Sequence, residues 1–247
     1  MIEVHVIKGI PEIREGDDLG KILTDLFEFK HGDILAVCST IVSKAEGRIK
    51  KLDDYVPSDK AKEIAKKIGK DPRFVQAVIE ESSEILIDYP FLLVRAKFGN
   101  ICVNAGIDQS NVKSGYVLLP PEDPDKSAKR LRERIKELTG KDVGVIITDT
   151  NGRCFRRGVV GFAIGISGVV SMLDWRGKTD IYGKPLEVTV ECVADEISAF
   201  ANLLMGEGDG KTPAVVFRGL NLLGEGSMAD IYREEDEDVI VRKLKGK

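Results

Sequence analysis

Between residues 206 and 213 the chain reads GEGDGKTP: Gly206, Gly208 and Gly210 alternate with Glu207 and Asp209 ahead of Lys211, Thr212 and Pro213. Alternating glycines let a backbone approach an anion closely, and the Lys211 ammonium adds a point charge suited to a phosphate. The second half of a P-loop, GxxxxGK[ST], is present, but Met205 stands where its first glycine belongs. The flanking residues also predict helix, loop, strand, whereas a P-loop runs strand, loop, helix so that the helix N-terminus supplies amides. By themselves these residues leave two readings open, a nucleotide loop of another kind and a polar turn.

Acidic residues placed on strand ends and turns form a second group. Asp149 follows the apolar run VGVIIT, and Asp108 lies in NAGIDQSN between Asn104 and Asn111. With Glu207 they offer hard oxygen ligands, which suit Mg²⁺ or Mn²⁺ rather than zinc, although an Asp taken singly is more often a turn-former or cap. Arg153, Arg156 and Arg157 follow at once in DTNGRCFRRG, where guanidinium forks could hold an anionic substrate or serve as plain surface charge. Ser39, Thr40 and Lys44 in STIVSKAEG could meet phosphate oxygens after a buried strand. Only His5 and His31 are available, neither near a plausible nucleophile in sequence, so histidine-based nucleophilic catalysis has little to draw on. If the chain does chemistry, carboxylates, a metal and backbone amides must carry most of it.

Elements that could position these residues are readable from periodicity. Residues 2–7 and 33–40 predict strands, and GDDLGKILTDLFEF places Leu19, Ile22, Leu23 and Leu26 on one helical face. Ser58 caps a predicted helix with Ala61, Ile64, Ala65 and Ile68 inward and Gly69 as its stop; Asp71-Pro72 opens another with Val75, Val78 and Ile79 inward. Residues 85–120 predict short strands broken by Gly and Asn. Asp123-Pro124 starts the clearest helix, with Ala128, Leu131, Ile135 and Leu138 as its apolar stripe and Gly140 at its end. Strands are expected at 143–148 and 214–218, GVVGFAIGISGVV reads as close-packed β or tight helix-sheet packing, VTVECVADEISAFANLL runs strand into helix, and the tail REEDEDVIVRKLKGK is mostly solvated. The irregular alternation favours an α+β fold with mixed or antiparallel strands.

Composition narrows the class. The 247 residues are 43% hydrophobic and 32% charged, enough for a sizeable core and far from a disordered chain. Lys+Arg 37 against Asp+Glu 41 leaves no basic field for nucleic acid. No apolar run approaches a bilayer span and the N-terminus lacks a signal-peptide pattern, so a cytoplasmic protein without membrane contact is expected. Cys38, Cys102, Cys154 and Cys192 are scattered, with no CxxC pair, and are expected as buried thiols in a reducing compartment.

Five segments, KGIPEI, ILAVCSTIVSKAEGR, NAGIDQSN, ITDTNGRCFRRG and GEGDGKTPAVVFRG, occur in this order over almost the whole chain. On these motifs the sequence resembles the coenzyme F420-0:L-glutamate ligases, also called F420:γ-glutamyl ligases, in their single-function archaeal form. Bacterial relatives often add a C-terminal flavin-reductase-like domain, for which this length leaves no room. The resemblance implies a two-lobed α+β fold in an intertwined homodimer. It implies GTP-dependent addition of L-glutamate to the lactyl carboxylate of a deazaflavin, F420-0, usually followed by a second, γ-linked glutamate, with release of GDP and phosphate. Mg²⁺ or Mn²⁺, two per site, and K⁺ are the implied cofactors. Carried over by position, Gly9, Ile10, Pro11, Glu12, Ser39, Thr40, Lys44, Asn111 and the stretch Gly206–Pro213 contact GTP, and Asp108, Asp149, Thr150 and Glu207 surround the metals. Lys44 and Lys211 steady the phosphates, and Arg153, Arg156 and Arg157 are our own candidates for the anionic acceptor or the incoming glutamate. A metal-dependent GTP hydrolase or small-molecule kinase, and a non-catalytic GTP-binding regulatory module, would use the same loop and carboxylates. Glutamate-dependent GDP release separates the first from the ligase, and turnover of a deazaflavin eliminates the second.

Overall fold

The computed structural model describes residues 1–246. In chain order the elements are β1 (Glu3–Val6), α1 (Leu19–Leu26), β2 (Ile34–Cys38), α2 (Ser39–Ala45), β3 (Ile49–Lys51), α3 (Asp59–Ile68), α4 (Pro72–Glu80), β4 (Ser82–Ile87), β5 (Leu93–Ala96), β6 (Ile101–Val103) and β7 (Tyr116–Leu118). There follow α5 (Pro124–Thr139), β8 (Gly144–Arg153), β9 (Arg156–Ser167), β10 (Leu173–Asp174), β11 (Val190–Glu191), α6 (Val193–Met205), β12 (Ala214–Arg218) and α7 (Val239–Leu244). The fold is α+β, and the chain divides into two compact units, one of residues 1–12, 18–38 and 124–231, the other of 13–17, 39–123 and 232–246.

The first unit is built on a five-stranded sheet of order β1-β12-β2-β8-β9, in which β2 and β8 are parallel and the other neighbours antiparallel. Ile34, Leu35, Ala36 and Val37 of β2 are all fully buried, the continuous apolar run of a strand covered on both faces. The covering helices come close at two glycines of β9: a Cβ at Gly161 would lie 2.4 Å from the Ser198 carbonyl of α6, and one at Gly165 2.5 Å from Pro124 at the start of α5. Between these glycines the register slips by one residue, Ile147 facing Gly165 and Thr148 facing Ala163. This bulge turns Gly161 and Gly165 to opposite faces, one toward each helix. It also disturbs the ladder, and first-turn aspartates of the two helices take up amides nearby: Asp195 accepts from Ala163 (2.9 Å) and Asp125 from Ile166 (2.7 Å).

Helix α1 packs on α5, and Asp18, its N-cap, accepts from the Lys21 amide and from the Arg134 guanidinium. The Arg134 hydrogen bond, then that of the Lys21 amide, holds the Asp18 carboxyl below its ordinary range. Leu19 and Leu23 are buried as the periodicity predicts, but Leu26, and Leu138 of α5, are exposed. Each stands in the last turn of its helix, where the inward stripe runs off the edge of the packing surface.

The second unit packs α3 and α4 with the antiparallel sheet β4-β5-β6 around Ile64, Phe74, Val75, Val78, Leu92 and Val94. Ser58 caps α3 and Gly69, at φ +67°, ends it, while Asp71 caps α4 ahead of Pro72. Strands β3 and β7 form a separate antiparallel pair, and Arg48 ties their surroundings together by donating to the Pro120 carbonyl and to Glu81. The C-terminal tail is mostly exposed, as expected, and contains α7, with Val241 buried and Lys245 paired to Glu84 and Glu235. Val241 is the apolar residue that anchors it, while Val239 and Ile240 stay exposed. Of the cysteines only Cys102 is buried, and Cys154 is exposed, which corrects the expectation of four buried thiols. Cys192 is partly covered, and burial pushes its thiol up to about 12.

One pH effect follows from the join between β11 and α6. Glu196 is hydrogen-bonded to Glu191, which raises its carboxyl above the ordinary 4.5, and Glu191 also accepts from the Trp175 indole. The folded state therefore keeps a proton that the unfolded chain releases, so this pair's contribution is complete below about pH 4.5 and is lost as pH rises through the raised value. Glu196→Gln is expected to melt with the wild type at pH 4 and above it at pH 7. Equal melting temperatures at both pH values would show that the pair is neutral to stability.

Candidate functional site

In the first unit the sheet brings three of the singled-out segments to one end. The Cys38 amide donates to Pro213 (2.9 Å), Cys38 lies beside Thr148 in the parallel register, and Ile7 donates to Ala214 (3.0 Å). Residues 8–12 therefore leave β1, Asp149 continues from Thr148, and the stretch 206–213 enters β12, all at the carboxyl ends of β2 and β8. That is the end of an open sheet with parallel strands at which ligands generally bind.

The 206–213 stretch runs from α6 into β12, the helix-loop-strand order that its neighbours predict. Its ends are tied by Thr212, whose hydroxyl donates to the Met205 carbonyl (3.1 Å). Gly206 has φ +72° and Lys211 φ +54°, a left-handed backbone that costs a residue with a Cβ about 1–2 kcal/mol. Gly208 differs: its φ is not positive, and a Cβ built there meets nothing within 4 Å. Neither backbone conformation nor internal packing requires glycine at 208. Glu207 is turned toward α6, where Asn202 donates to its carboxylate (3.0 Å). Ile10 is buried and anchors the segment from Gly9 to Glu12, whose Gly9 has φ +82°.

Strand β8 does not stop at Thr148 as the apolar run suggests but continues through Asp149 and Thr150 to Arg153. Both residues are half-buried, and Asp149 accepts from the Thr150 amide (2.8 Å). Thr150 pairs with Gly161 and so shares the α6 face, while Asp149 projects to the other. The strand then leaves the covered part of the sheet as a hairpin with β9, where Arg153 pairs with Arg156 and all three arginines are exposed around the tip residues Cys154 and Phe155.

In the second unit Ser39, Thr40 and Lys44 lie on α2, which begins at the residue after β2. The predicted strand to Thr40 is thus two residues too long, because the polar Ser39-Thr40 pair opens a helix. Ser39 is buried; Thr40 and Lys44 are half-buried. Asp108 exchanges two backbone hydrogen bonds with Leu118 (3.0 and 2.8 Å), and its carboxylate accepts from the Ser110 amide (2.7 Å) and the Ser110 hydroxyl. Asn111 is exposed with φ +54°. Ahead of Asp108, Asn104, Ala105 and Gly106 all have positive φ, forming a left-handed turn. Sequence reading missed Ser110 and Asn202 as partners of two candidate ligands. The Asp-x-Ser spacing signals the first, while the second arises from the turn of the chain after α6 and has no such signature.

Asp108, Asp149, Thr150 and Glu207 offer only oxygen donors, which fit Mg²⁺ or Mn²⁺. Among the described residues no three His, Cys, Asp or Glu side chains converge. Such cations are commonly held by one or two carboxylates together with substrate phosphates rather than by an all-protein cage, and each unit offers carboxylates of that kind, Asp149 and Glu207 in the first and Asp108 in the second.

The family model described as F420-0:Gamma-glutamyl ligase matches residues 8–219. The chain is 68% identical over 244 residues to the Coenzyme F420:L-glutamate ligase of Archaeoglobus fulgidus, covering 99% of this chain and 98% of that protein. It is 46% identical over 245 residues to the protein of the same name from Methanosarcina mazei (98% and 96% covered), and 49% identical over 210 residues to that from Methanopyrus kandleri (85% and 83%).

Proposed function

The chain belongs to the F420-0:gamma-glutamyl ligase family, and from that premise we propose that it joins L-glutamate to coenzyme F420-0, and then a second glutamate through a γ-linkage, at the expense of GTP. The observation that carries the nucleotide is Gly208, a glycine that nothing within the chain requires, in a loop at the carboxyl ends of β2 and β8. A glycine there leaves room for phosphate oxygens to approach the backbone.

The γ-phosphoryl group passes to the lactyl carboxylate: a C–O–P bond forms, the bond between the γ-phosphorus and the β-bridging oxygen breaks, and GDP leaves. The glutamate amine, neutral when it attacks, displaces phosphate from the acyl carbon and gives its proton to a carboxylate or to solvent. Gly9–Glu12 and Gly206–Pro213 in the first unit, and Ser39, Thr40, Lys44 and Asn111 in the second, hold the nucleotide, with Lys44 and Lys211 steadying phosphate charge. Asp149, Thr150 and Glu207 supply the metal ligands of the first unit and Asp108 that of the second. Mg²⁺ or Mn²⁺, when bound, neutralises charge developing on the β- and γ-phosphate oxygens. K⁺ assists. The reading includes a homodimer, supported by large apolar side chains that the single chain leaves uncovered: Phe155 97%, Ile181 91%, Tyr182 88% and Val188 85% exposed. No helix among the described residues is long and apolar enough to cross a membrane. A cytoplasmic location is part of the same proposal.

The test is mass-resolved turnover with F420-0, L-glutamate, GTP and Mn²⁺, omitting each in turn. Products heavier by one or two glutamyl residues, formed only when all are present, are expected. GDP release without glutamylation would overturn the ligase reading in favour of a hydrolase. The exposed arginines carry a separate prediction: Arg156→Ala with Arg157→Ala raises the Michaelis constant for F420-0 or glutamate about tenfold, the scale of a charge-assisted contact. Unchanged constants for both substrates would remove these residues from substrate binding.

A further inference from the structure

We infer that the left-handed turn Asn104–Ala105–Gly106 is a positioning element that holds the Asp108 carboxylate ready for its metal, and that the buried methyl of Ala105 is the pin that keeps it in place. The inference rests on the reading of Asp108 as a metal ligand. Three successive residues have φ of +55°, +56° and +71°. Residues with a Cβ enter this region singly as a rule, because the Cβ crowds the following carbonyl, and a run of three is unusual. Glycine would adopt φ +56° at position 105 without that crowding, yet alanine stands there, fully buried in the core that includes Leu92, Val94 and Val117. A side chain retained where the backbone favours none is retained for its contacts.

The fastenings on either side support this role. The Asn104 amide donates to Leu92 (2.9 Å), and the turn is closed by Ile107 donating to Asn104 (3.0 Å). Asp108, the next residue, is locked to Leu118 by main-chain hydrogen bonds in both directions, and Ser110 orients the carboxylate. Strain sustained by the surrounding structure in this way is characteristic of functional sites. A turn that served folding alone could be occupied by glycine at 105 without consequence for Asp108.

The experiment compares Ala105→Gly with the wild-type full chain in three measurements: Mn²⁺ affinity in the presence of GDP, from the electron paramagnetic resonance signal of free Mn²⁺; GDP affinity in EDTA; and melting temperature. Mn²⁺ affinity is expected to fall about tenfold, the lower end of what groups supporting a metal ligand are worth. Metal-free GDP affinity should hold, and the melting temperature should stay within about 3 °C. Ala105→Ser, which keeps the Cβ, should bind Mn²⁺ within about twofold of wild type, a conservative replacement by the same measure. Wild-type Mn²⁺ affinity in Ala105→Gly overturns the inference. If that variant does not fold, Asn104→Gly decides, a weakened Mn²⁺ affinity supporting the inference and an unchanged one overturning it. Asp108→Ala separates the two levels: unchanged Mn²⁺ affinity there removes Asp108 as a ligand, and the inference with it. Weakened binding in Asp108→Ala beside wild-type binding in Ala105→Gly overturns the turn's role alone.

Discussion

Asp149→Asn is expected to reduce glutamyl transfer roughly 10³-fold, equivalent to about 4 kcal/mol of lost transition-state stabilisation, while the protein melts close to the wild type. The substitution is nearly isosteric, and its amide oxygen can still accept from Thr150, so the local hydrogen bond survives. The change removes the negative charge and one potential ligand oxygen. The position is half-buried on β8 just beyond Thr148, at the carboxyl end of the β2–β8 pair, and the strand holds the carboxylate more tightly than a loop would. Turnover and metal dependence, measured beside thermal melting, check the expectation. Wild-type rates at limiting metal would remove Asp149 from the site, and a large fall in melting temperature would make its role structural.

The largest effect on stability is expected at the other end of β2. Asp33 is fully buried and receives the Arg218 guanidinium in two hydrogen bonds, Nε to Oδ1 and Nη2 to Oδ2, each 2.8 Å. It also accepts from the Lys30 amide (2.7 Å), while Arg218 reaches the Glu28 carbonyl and lies over the Phe27 ring. The same pairing raises the Arg218 guanidinium above its already high ordinary value, so the charge is permanent. Asp33→Asn leaves that cation without its counter-charge, and breaking one side of a buried pair costs about 3–5 kcal/mol. For a chain of this size the melting temperature should fall by roughly 10 °C. Replacing both partners by apolar residues, Asp33→Leu with Arg218→Met, should cost distinctly less, because no uncompensated charge remains. Denaturant unfolding of the single and double variants tests this, and an Asp33→Asn variant within about 1 kcal/mol of wild type would refute it.

Much of the local structure was legible because its causes are local. Ser58 and Gly69 bound α3, and Asp71-Pro72 opens α4, because a side-chain oxygen, a fixed proline φ and a left-handed glycine act within one turn of the residues that carry them. The stripe Ala128, Leu131, Ile135 faces inward because helical period alone places it there. The same holds for the candidate loop, whose alternating glycines and Lys211 are visible as chemistry without any fold, and for the motifs that identify the family.

Long-range pairing decided the rest. No local signal says that β2 and β8, separated by more than a hundred residues, run parallel with Cys38 beside Thr148, yet this register places Asp149 at the sheet end where 206–213 and 8–12 also emerge. The continuation of β8 past Thr148 was hidden because its partner strand β9, rather than its own polar residues, keeps it extended. Leu26 and Leu138 have the right period and the wrong place, since burial depends on where the facing surface ends. The left-handed turn at 104–106 was equally invisible: alanine prefers the opposite hand, and only the core around Ala105 and the Asp108–Leu118 hydrogen bonds oblige it to adopt this one. Residue types and short spacings thus determined the chemistry on offer and the elements that carry it, while the pairing of distant strands and the packing of the core decided which groups share a place and in what backbone conformation they are held.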